Sequence, residues 1–406
     1  MRFLALLVTL LAAPVASAQD WNQWRGPSRD GAVPASLLPR QWPATVQPSW
    51  QVEVGEGYAS PVVAAGRVFV HSRRDPDEIV TAIDVSTGKV AWQQTYQAQF
   101  AKNQYASRMA KGPNSTPLAS GSRVYTLGVT GILTAWNAAD GTVAWRNDYS
   151  KSIDTSKLFC GTAMSPLIEG GSLIVQVGSD VHGGRILALD PGTGKEKWAW
   201  NGPGPGYASP ALATIDGVRQ IITLTNASIV GIDAATGAGL WSIPFTDEWH
   251  ENIVTPIWTG SALLVSGVRQ GTQAYAISRA GTWQTRQLWK NAEVTMYTSS
   301  PVLIDGVLYG LSNKRRGQLV ALRVEDGAMQ FSTPGRDGNH ASIQHSGDRL
   351  LILADGGVLI VARRTPEGFA EERRYEVAKQ PTWAQPVFLA DGLLVRDATT
   401  LQKLRW

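Results

Sequence analysis

One block, close to Ala-x-Asp-x-x-Thr-Gly-x-x-x-Trp, returns along almost the whole chain. Its clearest copies hold Ala82, Asp84, Thr87, Gly88 and Trp92, then Ala188, Asp190, Thr193, Gly194 and Trp198. Looser copies end at Trp145 and Trp241, and later ones decay through Trp289 to Phe331. A period of roughly 40–50 residues with four short strands per unit is the signature of a β-propeller. In each copy, Gly permits the positive φ of a tight turn, Asp or Asn bonds the turn backbone, and Trp offers a large apolar face. Trp50, Trp92, Trp145, Trp198, Trp241 and Trp289 are therefore expected to dock one blade on the next.

A second pattern counts the blades. A Ser/Thr-Pro pair precedes an apolar run at Ser60, Thr116, Ser165, Ser209, Thr255 and Ser300; weaker starts follow at Ala341-Ser342 and Gln385-Pro386. Pro suits the first residue of a strand, where its missing N–H costs no ladder bond. In the first unit the strands are expected at 62–64, 67–71, 79–85 and 89–93, with the alternation of half-buried strands. The last unit lacks an outer strand, whereas the segment from Trp50 to Val54 is an outer strand without a unit. Joining them closes the ring and removes exposed sheet edges. The expectation is an all-β, eight-bladed propeller of four-stranded antiparallel blades over 50–406, preceded by a leading segment, 19–49.

The first residues have the make-up of a secretory signal, 1–18. Arg2 precedes the apolar run from Phe3 to Leu11, and Ala16-Ser17-Ala18 is a small-x-small cleavage site. No Cys follows that site, so lipidation is not expected, and no other stretch has the length and apolarity of a membrane span. An exported, soluble monomer in the periplasm or outside the cell is expected. The single cysteine, Cys160, makes no internal disulfide and is read as a small buried filler. The formal net charge is +4, with the charges interspersed. Nucleic-acid binding would need a concentrated basic stripe.

The repeated block resembles the tryptophan-docking motif of the pyrroloquinoline quinone (PQQ)-like propeller superfamily, over about residues 50–406. Ahead of it, the run from Trp21 through Trp24, Arg25, Gly26, Pro27, Arg29 and Asp30 to Gly31 resembles the Trp-x-x-aromatic-Arg-Gly-Pro-x-Arg-Asp-Gly opening of exported PQQ-like repeat proteins. The superfamily holds both calcium- and PQQ-dependent alcohol dehydrogenases and a propeller lipoprotein of the outer-membrane assembly complex. The resemblance thus implies either a quinone enzyme or a binding scaffold. The dehydrogenases typically carry an adjacent cysteine pair against the cofactor, which one cysteine does not supply, and there is no haem-attachment Cys-x-x-Cys-His.

The links between blades are long, and in a propeller they share one face with the second-to-third strand loops. Function usually sits on such loops. The longest link carries Asn103, Tyr105, Arg108, Lys111 and Asn114; another carries Trp249, His250, Glu251 and Asn252; a third carries Asp337 and His340. Tyr58 and Tyr207 stand in two identical Gly-Tyr-Ala-Ser-Pro pentapeptides, and Tyr297 near the matching place of a later blade. Together these residues are expected to ring the central funnel. The scaffold reading has them bind an envelope protein or a small ligand, with no cofactor. In the alternative, Glu251, Asn252 or Asp337 supply oxygen ligands to calcium beside PQQ, and His250 or His340 acts as acid or base.

Overall fold

The computed structural model describes residues 20–101, 103–106, 110–151 and 158–406, with the backbone alone at Tyr105. The expected signal peptide and Arg108 lie outside the described residues. The rest forms eight four-stranded antiparallel sheets. The first blade runs Val62–Ala64, Arg67–Arg74, Asp77–Asp84 and Val90–Gln97 from inside to outside. The second and outer strands continue three and four residues beyond the expected ends.

Alternation survives in the outer strand Val90–Gln97, where buried Trp92 and Tyr96 each stand between exposed neighbours. Six consecutive residues of Arg67–Arg74 are buried, because a blade in the ring is covered on both faces. Phe69, Val80 and Trp92 of the first blade share one apolar layer with Val124 and Trp136 of the second. Each such buried aliphatic or aromatic side chain contributes roughly 1.5–3 kcal/mol of burial.

The ring closes as expected from the unpaired N-terminal strand. Gln47–Glu53 runs antiparallel to Thr400–Arg405 and completes the eighth blade. Trp50 then reaches the first blade, where its Nε1 donates to the Val85 carbonyl at 3.1 Å. Trp92, Trp145 and Trp289 repeat this contact on the Ala138, Pro191 and Val324 carbonyls at 3.0, 2.9 and 2.7 Å. Trp198 lies over Gly237 of the next blade's turn, as Trp92 does over Gly141.

Trp241 departs from the series. Its indole lies over Gly231 of its own blade and donates to Gln220 Oε1 at 2.8 Å. The fifth blade has no Asp-x-x-Thr-Gly turn to receive it; long strands Gly271–Ala280 and Thr282–Asn291 meet there at Gly281. Trp241 stays in the apolar layer shared with Leu263, Val265 and Tyr275 of that blade. The long hairpin also resets the repeat: Trp289 pairs with Ala274, not with the neighbourhood of Ala276.

The Ser/Thr-Pro pairs do more than start strands. The Ser60 N–H donates to Thr116 Oγ1, the Thr116 N–H to Ser165 Oγ, and the Ser165 N–H to Ser209 Oγ, each at 3.0 Å. The Thr255 N–H meets Ser300 Oγ at 3.1 Å, and the Gln385 N–H meets Ser60 Oγ at 2.9 Å. A girdle of hydroxyls thus ties the first four blades in series, the fifth to the sixth, and the eighth to the first across the closing seam.

The leading segment fills the middle of this girdle. Trp21 exchanges backbone hydrogen bonds with Val63 of the first blade at 2.9 Å, and the Ala119 N–H of the second donates to the Asn22 carbonyl at 2.8 Å. Arg29 reaches the Pro166 and Pro210 carbonyls of the third and fourth blades at 3.2 and 3.3 Å. Trp24 Nε1 donates to Thr255 Oγ1 of the fifth at 3.2 Å, and Arg25 Nη2 to the Pro301 carbonyl of the sixth at 2.6 Å. Val33 closes the tour on the seventh blade, its N–H 2.7 Å from the His345 carbonyl. The channel is therefore plugged by the chain's own N-terminal arm, which leaves past Trp42, packed on Tyr375 and Trp406, to become the closing strand.

Candidate functional site

Above the plug the channel opens as a funnel of about 140 Å³. It lies on the long-link side: isolated bridges Glu56–Arg73, Pro205–Thr225 and Met296–Ser312 tie links to second-to-third strand loops in the first, fourth and sixth blades. Its floor is Trp24 and the hydroxyls of the girdle, among them Ser165, Ser209, Thr255 and Ser300.

The wall follows a rule. The residue two places before each of Ser60, Thr116, Ser165, Ser209, Thr255, Ser300, Ser342 and Gln385 lines the funnel. In the first four blades these are Tyr58, Asn114, Ala163 and Tyr207; in the last four they are Ile253, Thr298, His340 and Trp383. Girdle hydrogen bonds hold all of these but Ser342 at the axis, so the chain just before them arrives at the funnel rim. Phe159, Cys160, Glu251 and Tyr297 complete the wall from the same links.

Aromatic contacts set its shape. Trp383 is sandwiched between Tyr58 and His340, each with ring centroids 4.8 Å away and planes at 22° and 5°. The Tyr58 hydroxyl accepts from the Ala110 N–H at 2.9 Å, and that of Tyr207 accepts from the Phe159 N–H at 2.8 Å. The Tyr297 hydroxyl donates to Glu251 Oε2. Burial raises the pKa of all three phenols, so they act as fixed hydrogen-bond groups rather than acids.

Two titratable groups remain. Burial pulls the His340 imidazole down to about 4, which keeps it neutral at pH 7; its Nδ1 meets Thr298 Oγ1 at 3.2 Å. Burial raises the Glu251 carboxyl, the Tyr297 hydroxyl opposes that rise, and Asp247 and Asp180 add to it.

Of the residues expected to ring the funnel, Tyr58, Asn114, Tyr207, Glu251, Tyr297 and His340 line it together. Lys111 does not: it pairs with Asp75 at 2.8 Å. Trp249 is 49% exposed beyond the rim, with Arg269 stacked 4.3 Å over its ring. His250 is exposed on the same link, and Asn103 is exposed beside the short turn Gln104–Ala106. Asn252 is fully buried and holds the Thr225 and Phe245 carbonyls at 2.7 Å. Asp337 braces its own loop by accepting from the Leu319 N–H at 3.0 Å. Cys160 is half-buried on the funnel wall, not a buried filler.

The three oxygen ligands considered for calcium thus serve three separate hydrogen-bond networks. Among the described residues no group of three or more His, Cys, Asp or Glu could hold a metal ion. The described residues do not fit a calcium-bound quinone. His250, outside the cavity, is not placed to act on anything the funnel holds, and His340 is too strongly depressed to serve as an effective base near neutral pH.

The comparisons with known proteins agree with this geometry. The chain is 25% identical over 328 residues to the outer membrane protein assembly factor BamB of Yersinia pestis, covering 77% of this chain and 69% of that one. The structure superposes on BamB from Moraxella catarrhalis with a TM-score of 0.62 at 17% identity, over 89% of this chain and 98% of that one. It also superposes on the quinohemoprotein alcohol dehydrogenase of Comamonas testosteroni with a TM-score of 0.70 at 15% identity, over 95% and 80%. Those two likenesses are of fold alone. The sequence matches the family profile described as outer membrane protein assembly factor BamB over residues 42–110 and 76–333. By that match, which spans well over half of the chain, this protein belongs to the BamB family of PQQ-like β-propellers.

Proposed function

We propose that the protein is an exported, non-catalytic scaffold of the cell envelope that binds a protein partner through its long-link face. The observation that carries this reading is the composition of that face. It presents an aromatic funnel, and beside it the exposed Trp249 and Val181, 49% and 65% accessible. The two stand on neighbouring loops joined by hydrogen bonds, Asn226 Nδ2 to Asp180 Oδ1 at 2.8 Å and Thr246 Oγ1 to the Asn226 carbonyl at 2.8 Å. Exposed aromatic and aliphatic groups around a rigid rim are what protein interfaces use as anchors. The relatives' description as outer membrane protein assembly factors supports an outer-membrane protein, or a component that assembles one, as the partner. Export by the segment 1–18 without lipidation belongs to the same proposal. Among the described residues no helix is long and apolar enough to cross a membrane.

The test places a photo-cross-linking side chain at Val181 or Trp249, and at Val143 on the second blade's outer strand as a control. Cross-links to one discrete envelope protein from the first two positions alone are expected, with at least tenfold weaker binding of that purified partner by Trp249→Ala. Equal cross-linking from all three positions, or none, sinks the reading.

A further inference from the structure

The funnel has a chemical asymmetry that protein docking does not require. The one carboxylate among the described residues that line it, Glu251, is 7% exposed. Among the described residues that line the cavity there is no Lys or Arg. The neighbouring charges that act on Glu251, Asp247 and Asp180, are also negative. His340, the remaining titratable ring on the wall, stays neutral. A buried carboxylate without a counter-charge is costly and is normally paired or protonated.

The surroundings of this carboxylate are electron-rich. Trp24 forms the floor, and Tyr207, Tyr297 and Phe159 stand in the wall. Aromatic rings attract organic cations through their quadrupoles, by about 2 kcal/mol or more where water is excluded. The girdle hydroxyls add acceptor capacity. Ser165, Ser209 and Ser300 each receive one backbone N–H and keep a further lone pair. The cavity of about 140 Å³ equals about five times the ~30 Å³ share of one water, room for a compact ion.

We propose that the funnel binds a small organic ammonium ion, with Glu251 as its counter-charge and the aromatic wall as its cage. Tyr297 is the positioning residue: its hydroxyl donates to Glu251 Oε2 and fixes the carboxylate plane. The Tyr58–Trp383–His340 stack makes one side of the cage rigid, so the site is formed before the ion arrives. The inference rests on the long-link face being the binding face. It does not depend on a protein partner, and the ion is either a compact free ammonium or the end of a lysine side chain that a partner inserts.

The experiment is calorimetric titration of the mature protein alone, at pH 7 and fixed ionic strength, with tert-butylammonium and with its neutral isostere tert-butanol. Saturable one-to-one binding of the ammonium, at least tenfold tighter than the alcohol, is expected, with at least tenfold loss in Glu251→Gln. Tyr297→Phe, which keeps the ring and the carboxylate, is expected to retain selectivity for the ammonium over the alcohol. Equal affinity for the two probes overturns the proposal, as does ammonium binding that Glu251→Gln leaves unchanged. Titration with n-butylammonium separates the two sources: tighter binding than tert-butylammonium assigns a lysine-like tether, weaker binding a compact free ion. Partner binding lost in Trp249→Ala and ammonium binding lost in Glu251→Gln are read in separate assays, so either reading can fail without the other.

Discussion

Trp50 and Gly88 meet at the seam where the ring closes. A Cβ on Gly88 would lie 2.6 Å from Cγ of the Trp50 indole, and Gly88 has φ +73°. The glycine is thus required twice, by its backbone and by the ring that lies on it. Gly66 sits in a tight turn of the same blade with nearly the same φ, +75°, but a Cβ there would meet nothing within 4 Å. The pair separates two costs. Gly66→Ala is expected to cost about 1–2 kcal/mol for the left-handed conformation alone. Gly88→Ala adds about 1–3 kcal/mol of overpacking against Trp50. Urea denaturation of the two variants measures the difference, and equal losses would mean that Trp50 yields freely.

The hydroxyl girdle is open to an equally direct test. Thr116 is fully buried, and its Oγ1 accepts the Ser60 N–H. Thr116→Val keeps the shape and removes the acceptor, leaving a buried backbone donor without a partner. The expected loss is about 1–3 kcal/mol. The Val N–H still reaches Ser165 Oγ, so the damage stays at one junction. A melting temperature unchanged from the parent chain would show that the girdle contributes no net stability.

Much of this architecture is readable from the sequence because it rests on local rules repeated around the ring. The turn glycines, the docking tryptophans, the strand-starting pairs and the orphan strand at Trp50 each encode their own place. Trp241 escaped that reading because its behaviour depends on two departures at once. Gly231 replaces the Ala found opposite Trp92, Trp145, Trp198 and Trp289, and the fifth blade lacks the receiving turn. The missing Cβ was the visible signal, since it lets the indole fall onto its own strand. The funnel was half legible. Tyr58 and Tyr207 announced themselves through a repeated pentapeptide, while Trp383 and Trp24 did not. Trp383 obeys the same two-residue offset, but from the degenerate pair Gln385-Pro386. Trp24 reaches the floor only because the arm threads the ring, and no periodicity encodes a contact between segments 231 residues apart. Asn252 and Asp337 share side-chain chemistry with groups that line the funnel, and only their partners reveal that they hold loops.

Acid should weaken the fold through His340. Its folded value, about 4, lies below the 6.5 of an ordinary histidine. The unfolded chain therefore takes up a proton first as pH falls. The stability from keeping this ring neutral is complete above about pH 6.5 and is lost as pH drops toward 4, by about 3 kcal/mol in all. Burial also lowers His345, which acts in the same direction, while the raised Glu251 acts in the opposite one. The isolating measurement is the difference between the parent chain and His340→Gln in unfolding free energy from pH 7.5 to 4.5. A steeper decline in the parent is expected; parallel declines would mean that His340 titrates normally.

The arm that plugs the channel should prove part of the core and not an appendage. Trp21 is 1% exposed, exchanges backbone hydrogen bonds with Val63, and lies so close to Gly26 that a Cβ there would stand 2.6 Å from its ring. A loosely held leader would tolerate truncation of this side chain within about 0.5 kcal/mol, as surface substitutions do. Trp21→Ala is instead expected to cost about 3–5 kcal/mol, the range for deleting a buried aromatic group. The accompanying sign is local. Faster hydrogen exchange at the Val63 and Ala119 amides, which bond the arm's carbonyls, should precede any change at Val175 or Val177 within the third blade. Such a result, with the full cost of a buried aromatic, would make the arm a packed part of the core whose loosening is felt first in the blades it bonds. The funnel would then have a fixed floor, and a ligand would enter and leave only by the long-link face.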